Sequence, residues 1–401
     1  MRRRRVKVTG IGPVTPAGIG AENFWSGICK KRSYIRKFIR TETAEATLVA
    51  AHISDFVVKT YIADTALQKG VARHTEFAAV AALLAVQHAG LSPTELSAKT
   101  CAVVAGASLL DFGGIGKSLK TVFEKGYKAA QPRVVFTSTL TSVSETIADV
   151  CRLNARTMAV QTSCCAGLDA IGHAARLIES GEVEIAICGG TEAPLYSFPL
   201  FELQAAGLTP NTNESPAELA RPFDLWRTTG VVSEGACFFI LESEASPRPA
   251  IGWISGYGFS SDSRDEICSG LVDANLQAIA DAEMRPSDVQ CISAWGPGHR
   301  LIDKGEFQAS KEVFGASLIR VPAYSIKGAI GSPLGAAPAI QVASAILGMN
   351  ASKVPPTVNW KDPDPECAYC LSENIRFFSY DNVLVNAHGV GNVNSSLLIT
   401  K

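Results

Sequence analysis

The chain has 401 residues, of which 47% are hydrophobic, and its 37 basic and 38 acidic side chains leave a formal net charge of −1. This length allows two domains or one large double unit, and the 34 glycines favour an α/β protein with tight turns and closely packed helices. A charge near zero argues against a protein that binds nucleic acid through a general basic surface.

The basic and apolar segments predict a soluble, cytoplasmic protein without a nucleic-acid or membrane partner. Arg2–Arg5 form the basic run, which we interpret as a solvated tail, with contact to an acidic partner as the alternative. Because these arginines lead into a strand pattern, we expect no signal peptide. The longest apolar segment begins at Phe77, is too short to cross a bilayer, and is predicted to be a buried helix.

The chain has 11 cysteines, which in a cytoplasmic protein of this size are expected to be mostly reduced and buried. Cys367 and Cys370 form a lone CxxC pair. Because neither a second pair nor histidines at zinc-finger spacing accompany them, a zinc site is not expected. The sequence predicts no metal and no cofactor.

Strand and helix patterns alternate along the chain, which predicts mostly parallel, buried sheets. Strands are predicted at Arg5–Val14, with breaks at Gly10 and Gly12, and at Thr100–Ser108, Thr157–Ser163, Glu184–Ala193, Cys291–Gly296, Val321–Ser325, Asn382–Gly389 and Asn394–Thr400. Helices are predicted at Phe77–Ala89, Val143–Leu153, Leu168–Ile178, Leu271–Ala282 and Ala337–Leu347, with another from Asp303. The proline- and glycine-rich segment Glu242–Asp262 is the best internal boundary, and it predicts two α/β halves, residues 1–248 and 249–401.

The segment LDFGGIGKS ends like a phosphate-binding loop at Gly116, Lys117 and Ser118. That motif requires a glycine five residues before Gly116, where this chain has Asp111. A carboxylate there would repel the phosphates that the loop amides bind, so we expect no nucleotide site.

The segment QTSCCAG places two thiols where a predicted strand turns into a predicted helix that ends near Gly181. Cys164 and Cys165 therefore lie beside the helix N-terminus. Unpaired amides and the positive end of the helix dipole are expected to lower the pKa of a thiol there and to bind an oxyanion. This setting is typical of a nucleophile in covalent acyl transfer; the alternative is that both cysteines are small packing residues in a crowded turn.

Several further segments complete a pattern that covers nearly the whole chain. They are VKVTGIGPVTPAG, TSCCAG followed by GHAARLI, CGGTEA, RPFD, SEGACFFILE, DKGE, SIKGAIGSPLGAA, VPPTVNWKDPDPEC and GVGNVNSSL. With these segments the chain resembles the β-ketoacyl-[acyl-carrier-protein] synthases, closest to the type II enzyme. The resemblance implies a thiolase-like fold of five layers, αβαβα, with two duplicated halves. It also implies acyl transfer in fatty-acid or polyketide biosynthesis, an acyl carrier protein as partner, and a homodimer or a heterodimer with a related ketosynthase.

The resemblance also implies the roles of individual residues. It assigns the nucleophile to Cys164 and the oxyanion hole to the amides of Cys164 and Val390. Cys165 takes the next position and is interpreted as structural. The active-site lysine of the family corresponds to Lys327, and the carboxylate associated with it corresponds to Glu306.

The chain departs from the family at the two histidines that stabilise the enolate formed when a malonyl group loses CO₂. Trp295 stands at the first position and Ser332 at the second. Tryptophan has an N–H donor but no basic site, and serine is a weak donor and acceptor. Since loss of one charge-stabilising donor costs roughly 100-fold or more in rate, these replacements argue against ordinary decarboxylative condensation.

Neighbouring positions of the family pattern differ as well. Pro297 and His299 stand where threonines contact the pantetheine arm, and His388 and Val390 replace two phenylalanines of the glycine-rich loop. His299 and His388 are candidates to replace the lost histidines or to line the pantetheine tunnel. The alternatives are a loop residue and a packed aromatic side chain, respectively. His173, within the nucleophile helix, is interpreted as structural.

Three functions follow from this pattern. The first is a 3-oxoacyl-carrier synthase with an altered active site. The second is a non-condensing partner resembling a chain-length factor, which pairs with an active ketosynthase. The third is a non-decarboxylating acyltransferase or thioesterase that uses Cys164. Retention of Cys164, Lys327 and Glu306 favours an enzyme that transfers an acyl group.

Overall fold

The computed structural model describes residues 4–38, 48–63, 67, 70–263 and 266–401. Its strands are β1 (Val6–Thr15), β2 (Gly18–Ile19), β3 (Arg36–Phe38), β4 (Leu48–Ala50), β5 (Cys101–Gly106), β6 (Ala155–Val160), β7 (Ile185–Glu192), β8 (Gly235–Ser243), β9 (Gly252–Ser261), β10 (Cys291–Ser293), β11 (Ala323–Tyr324), β12 (Lys353–Val354), β13 (Arg376–Phe377), β14 (Asn382–Gly389) and β15 (Val393–Thr400). Its helices are α1 (Ala21–Ile28), α2 (Arg73–His88), α3 (Pro93–Ser97), α4 (Phe112–Lys125), α5 (Arg133–Thr137), α6 (Thr141–Val150), α7 (Ala166–Glu179), α8 (Ser197–Ala205), α9 (Leu271–Asp281), α10 (Arg300–Phe314), α11 (Lys327–Ile330) and α12 (Ala337–Ala351).

The molecule consists of two halves with the same strand topology. The main strands of the first half lie in the order β6-β5-β7-β8-β1, and those of the second lie in the order β11-β10-β14-β15-β9. In each half three parallel strands are followed by two antiparallel ones. Strands β1 and β9 pair with each other and join the halves. The duplicated α/β fold is therefore confirmed.

Successive residues of the main strands point to opposite faces, and each face packs in a different core. The core that the two halves share contains helices α7 and α12, which therefore form the central layer. Val104 of β5 and Val383 of β14 pack in the central core with α7 and α12. Val103 packs in an outer core with α2 and α6, and Leu384 packs in another with α9. The layers therefore run helix, sheet, helix, sheet, helix, which is the predicted five-layer arrangement.

Strand β1 is continuous, so the predicted breaks at Gly10 and Gly12 are wrong. A Cβ at Gly10 would lie 2.2 Å from the Ala85 carbonyl oxygen, and one at Gly12 would lie 1.9 Å from that of Ala81. Both glycines let α2 pack directly on the strand backbone. Their role is close helix packing, and not a turn.

Most other predicted elements are confirmed within a few residues, and β14 has the predicted bounds. Helix α10 begins three residues before the predicted Asp303, because the ring of His299 caps it. The segment Glu242–Asp262 forms the end of β8 and all of β9, and residues 244–251 connect these two strands. The division between residues 248 and 249 stays a prediction.

An apolar helical segment lies in the middle of the fold. Among the described residues, Leu334–Ala351 is the segment long and apolar enough to cross a membrane, and most of it is buried. The expectation that the longest apolar segment begins at Phe77 is therefore wrong. Residues 334–351 include α12, whose apolar surface packs between the two sheets.

The structure shows what the basic run and the segment resembling a phosphate loop do in the first half. Residues 2 and 3 of the basic run lie outside the described residues, but the Arg5 guanidinium lies 4.1 Å over the ring of Trp253. Arg4 and Arg5 are both exposed, so the described end of the run is solvated, as predicted, and it also contacts the fold through Arg5. The segment that resembles a phosphate loop begins α4, and its Asp111 carboxylate caps that helix by accepting the N–H of Gly114 at 3.0 Å.

Candidate active site

Cys164 lies in the sharp turn between β6 and α7. A short 3₁₀ turn, Ser163–Cys165, leads directly into the helix, and Ser163 has a left-handed φ of 52°. Such a conformation is uncommon for serine and makes the turn a sharp one. The neighbouring thiol of Cys165 is fully buried and donates to the carbonyl oxygen of Val393 at 3.5 Å. The predicted strand-to-helix turn is confirmed, and the two thiols have different surroundings.

The turn between β14 and β15 brings a second backbone amide to Cys164. A Cβ at Gly389 would lie 3.0 Å from the Cys164 nitrogen and 3.1 Å from the Ser163 Cβ, so only glycine allows this close approach. The N–H of the next residue, Val390, lies close enough to the Cys164 sulfur to lower the pKa of that thiol. The Cys164 and Val390 amides, predicted to form an oxyanion hole, therefore lie beside the thiol.

The thiol of Cys164 opens into a cavity of about 410 Å³. Six other residues singled out in the sequence line this cavity: Trp295, Pro297, His299, Ser332, His388 and Val390. Apolar side chains of Leu203, Leu208 and Val232 line it too. The fold thus gathers positions separated by more than 200 residues into one pocket around the candidate nucleophile.

The structure contradicts the expectation that the pKa of Cys164 is lowered. Burial and the negative charge of Glu192 raise the pKa of this thiol to about 11. The Ser163 hydroxyl, the Val390 N–H and the Lys327 ammonium lower the pKa, but they do not outweigh burial. At neutral pH the side chain is therefore a thiol, which must lose its proton before it can attack a carbonyl carbon.

Glu192, at the end of β7, is a residue of this site that the motif analysis missed. Its carboxylate is buried and accepts the N–H groups of Ser108 at 2.9 Å, Gly335 at 3.2 Å and Leu109 at 3.3 Å. Burial raises the pKa of Glu192 to about 7. The segment CGGTEA contained the signal, since an acidic residue within a buried strand is unusual.

Lys327 and Glu306 do not line the cavity but lie buried behind its wall. The Lys327 ammonium donates to the Trp295 carbonyl oxygen and to Gln341 Oε1, the latter at 2.9 Å. Glu306 accepts the N–H of Trp295 and that of Gly296, both at 2.8 Å. Burial lowers the pKa of Lys327 and raises that of Glu306. The pair therefore holds the backbone of the Trp295 loop.

The two residues at the histidine positions have contrasting surroundings. The ring of Trp295 packs against Lys327, whose Nζ lies 3.7 Å from the ring centroid. Ser332 is held by its backbone, which donates to the Val231 carbonyl oxygen at 2.7 Å and accepts the N–H of Ser233 at 3.0 Å. Neither side chain carries a basic nitrogen into the cavity.

The loop after Trp295 is held by a second buried carboxylate. Asp303 accepts the N–H groups of Phe223 at 2.8 Å and of Gly298 and His299 at 3.1 Å each. His299 Nδ1 accepts the N–H of Ile302 at 3.4 Å and caps α10. Burial and the positive charge of Arg227 lower the pKa of His299, so its ring is neutral at neutral pH.

His388, in contrast, is held by polar side chains of two other segments. Its Nδ1 lies 2.9 Å from Asn394 Oδ1 and 3.8 Å from Asp262 Oδ2. His173 is exposed on α7 and contacts the ring of Tyr257 edge-on at 6.1 Å between centroids. Of these two histidines, His388 alone lines the cavity.

The thiols of the CxxC pair have separate partners. Cys367 Sγ accepts from Arg227 at 3.3 Å, and Cys370 Sγ accepts from Arg376 at 3.1 Å. Each sulfur thus contacts a different guanidinium.

Family models match most of the chain. Residues 3–246 match the β-ketoacyl synthase N-terminal domain, and residues 251–361 match the β-ketoacyl synthase C-terminal domain. The chain therefore belongs to the β-ketoacyl synthase family. It is 29% identical to the tetracenomycin polyketide synthase ketoacyl synthase alpha subunit of Streptomyces glaucescens, over 99% of this chain and 97% of that protein. It is 27% identical to 3-oxoacyl-[acyl-carrier-protein] synthase 2 of Coxiella burnetii, over 100% and 99% respectively.

Solved structures agree with this assignment. The ishigamide ketosynthase/chain length factor has a TM-score of 0.92 and 26% identity, covering 100% of this chain and 99% of that one. A type II polyketide acyl-carrier protein in complex with its ketosynthase, bound to the hexaketide, gives a TM-score of 0.90 at 25% identity, with 99% of each chain covered. The fold is therefore that of the ketosynthases, including those described with chain length factors.

Proposed function

We propose that Cys164 accepts an acyl chain from the pantetheine arm of an acyl carrier protein, in fatty-acid or polyketide biosynthesis. The observation that carries this proposal is the position of Cys164, whose thiol opens into the cavity and whose backbone nitrogen lies against Gly389, directly before Val390. A thioester carbonyl attacked by this sulfur would place its oxygen near the amides of Cys164 and Val390. Two preorganised N–H donors stabilise the negative charge that develops on such an oxygen.

The cavity also supports an acyl substrate. Leu203, Leu208 and Val232 offer apolar surface for an alkyl or polyketide chain. The similar structures include a ketosynthase with its acyl-carrier protein and one described as a ketosynthase/chain length factor. We infer that this chain likewise works in the cytoplasm with an acyl carrier protein, as a homodimer or as a heterodimer with a related ketosynthase.

The side chains at the histidine positions support acyl transfer without ordinary decarboxylative condensation. The Trp295 ring is engaged with the Lys327 ammonium, and Ser332 offers one weak hydroxyl. Acyl-cysteine formation needs a nucleophile and an oxyanion hole, whereas decarboxylation needs additional stabilisation of an enolate. This chain retains Cys164 and the backbone amides beside it, which match the requirement for acyl-cysteine formation.

The same replacements also favour a second function, that of a non-condensing partner which shapes the acyl tunnel of an active ketosynthase. In that case the protein would co-purify with a second ketosynthase subunit. Cys164→Ala would then leave both the rate and the chain length of the product unchanged.

Intact-mass spectrometry after incubation with octanoyl-acyl carrier protein tests the first function. The wild type and Cys165→Ala should each gain one octanoyl group, and Cys164→Ala should gain none. If all three proteins stay unmodified, the acyl-transfer function is wrong and the partner function is favoured. Release of CO₂ from malonyl-carrier protein at the rate of an ordinary ketosynthase would contradict the inference about condensation.

A further inference from the structure

We propose that His388 is the base that removes the thiol proton of Cys164 and returns it to the departing pantetheine sulfur. This inference rests on the proposed acyl transfer and adds the group that activates the nucleophile. The need for such a base arises from the site itself, because the half-buried side chain of Cys164 keeps its proton at neutral pH.

The hairpin of β14 and β15 places His388 at the cavity. In its register His388 pairs with Asn394, and Gly389 pairs with Val393. Gly389 approaches the Cys164 backbone so closely that a Cβ would lie 3.0 Å from its nitrogen. The imidazole of the preceding residue lines the cavity into which the thiol opens. One hairpin therefore supplies both an oxyanion-hole amide and the candidate base.

The hydrogen bonds of Asn394 determine which ring nitrogen of His388 carries the proton. Asn394 Nδ2 donates to Asp262 Oδ1 at 2.6 Å, so the amide oxygen is the atom that faces His388 Nδ1 at 2.9 Å. An amide oxygen only accepts, and Nδ1 must therefore donate. In the neutral ring Nε2 is then unprotonated and can accept the proton of a thiol.

The carboxylate of Asp262 lies beside the ring. This carboxylate is fixed by the N–H groups of Cys268 at 2.9 Å and Gly270 at 3.0 Å, and its Oδ2 lies 3.8 Å from His388 Nδ1. When Nε2 takes a proton, this carboxylate lies on the opposite side of the ring from the added proton. This arrangement of a nucleophile, a base and a group that orients the base is the one that covalent catalysis requires.

Other ionisable groups around the thiol are engaged elsewhere. His299 uses Nδ1 to accept from Ile302, so its Nε2 carries the proton and can only donate. Glu192 already accepts several N–H groups, and Lys327 donates to backbone and amide oxygens. Glu202 lines the cavity but is exposed to solvent on α8. His388 is the cavity residue with an accepting nitrogen and a fixed orientation.

The step balances within the site. His388 Nε2 takes the Cys164 proton, directly or through one water, and the sulfur forms a bond to the thioester carbonyl carbon. The oxyanion that results is held by the Cys164 and Val390 amides. Its collapse breaks the bond to the pantetheine sulfur, which leaves with the proton from His388. The enzyme ends as an acyl-cysteine with a neutral imidazole.

Single-turnover acylation by octanoyl-coenzyme A, followed by intact mass, tests this assignment on the full-length protein. His388→Phe keeps an aromatic ring without a base, and it should acylate about 100-fold more slowly or worse. His388→Ala should be equally slow, and added imidazole should restore part of its rate, which a purely structural role would not allow. His173→Gln removes a histidine outside the cavity and should match the wild type.

Each outcome decides the inference. A folded His388→Phe protein that acylates at the wild-type rate overturns it and leaves the proposed function intact. A wild type that takes no octanoyl group overturns the proposed function instead. In that case the rate at which iodoacetamide alkylates Cys164 tests the role of His388. Equal alkylation rates in the wild type and in His388→Ala would contradict the proposal that His388 removes the thiol proton. If His388→Phe fails to fold, the absence of imidazole rescue in His388→Ala overturns the inference.

Discussion

Gly389→Ala is expected to slow acylation of Cys164 about 10- to 100-fold while leaving the protein folded. The added Cβ would lie 2.9 Å from Val393 Cγ2, 3.0 Å from the Cys164 nitrogen and 3.1 Å from the Ser163 Cβ. Non-bonded carbon atoms prefer separations of about 3.5 Å or more, so the loop must retreat by roughly 0.4 Å. That retreat moves the Val390 N–H away from the oxyanion. Losing one such donor lowers the rate about 100-fold or more. A partial loss, which lowers the rate by about 10- to 100-fold, corresponds to an activation free energy that is higher by roughly 1.4–2.7 kcal/mol.

Single-turnover transfer from octanoyl-acyl carrier protein, with thermal unfolding measured in parallel, checks this expectation. Overpacking should lower the free energy of unfolding by about 1–3 kcal/mol. Gly116→Ala is the matched control, since its Cβ enters open space on α4, and it should acylate like the wild type. A folded Gly389→Ala protein with wild-type acylation would refute the role given to the Val390 amide.

Two further predictions concern the buried charges near the thiol. Because the Glu192 carboxylate raises the pKa of Cys164 and itself has a pKa of about 7, Glu192→Gln should speed iodoacetamide alkylation of Cys164 severalfold near pH 8.5. Below about pH 6 wild-type Glu192 is protonated and the two rates should converge, so a ratio that does not vary with pH contradicts the coupling. Lys327→Met should lower the free energy of unfolding by about 3 kcal/mol in urea titrations, since it leaves Glu306 buried without its cationic neighbour. Lys327→Met/Glu306→Gln should recover part of that loss, and equal stability of the wild type and Lys327→Met would contradict the interaction.

The sequence predicts the fold well where burial alone determines the pattern. Strand β14 has its predicted bounds because both of its faces pack against cores, so its apolar run begins and ends with the strand. The breaks predicted at Gly10 and Gly12 failed because a glycine that ends a strand and one that admits a helix look alike in sequence. What distinguishes them is α2, which begins more than 60 residues later.

Several residues of the candidate site were predictable from motifs, whereas Glu192 and the electrostatics of the thiol were not. The family motifs indicated Cys164, Lys327 and Glu306 as residues of one site. In the structure Cys164 opens into the cavity, and Lys327 and Glu306 hold the Trp295 loop behind the cavity wall. The direction of the Cys164 pKa shift depends on burial and on Glu192, neither of which local spacing reveals. Likewise, the orientation of His388 depends on Asp262, a residue 126 positions earlier in the chain whose carboxylate holds Asn394.

The most direct test of the whole account is the location of the acyl group at residue level. After octanoyl transfer, tandem mass spectrometry of the peptide that carries both adjacent cysteines should place the thioester on Cys164 and leave Cys165 as a free thiol. An octanoyl group on Cys165, or on any residue of a Cys164→Ala protein at the wild-type rate, would contradict Cys164 as the nucleophile.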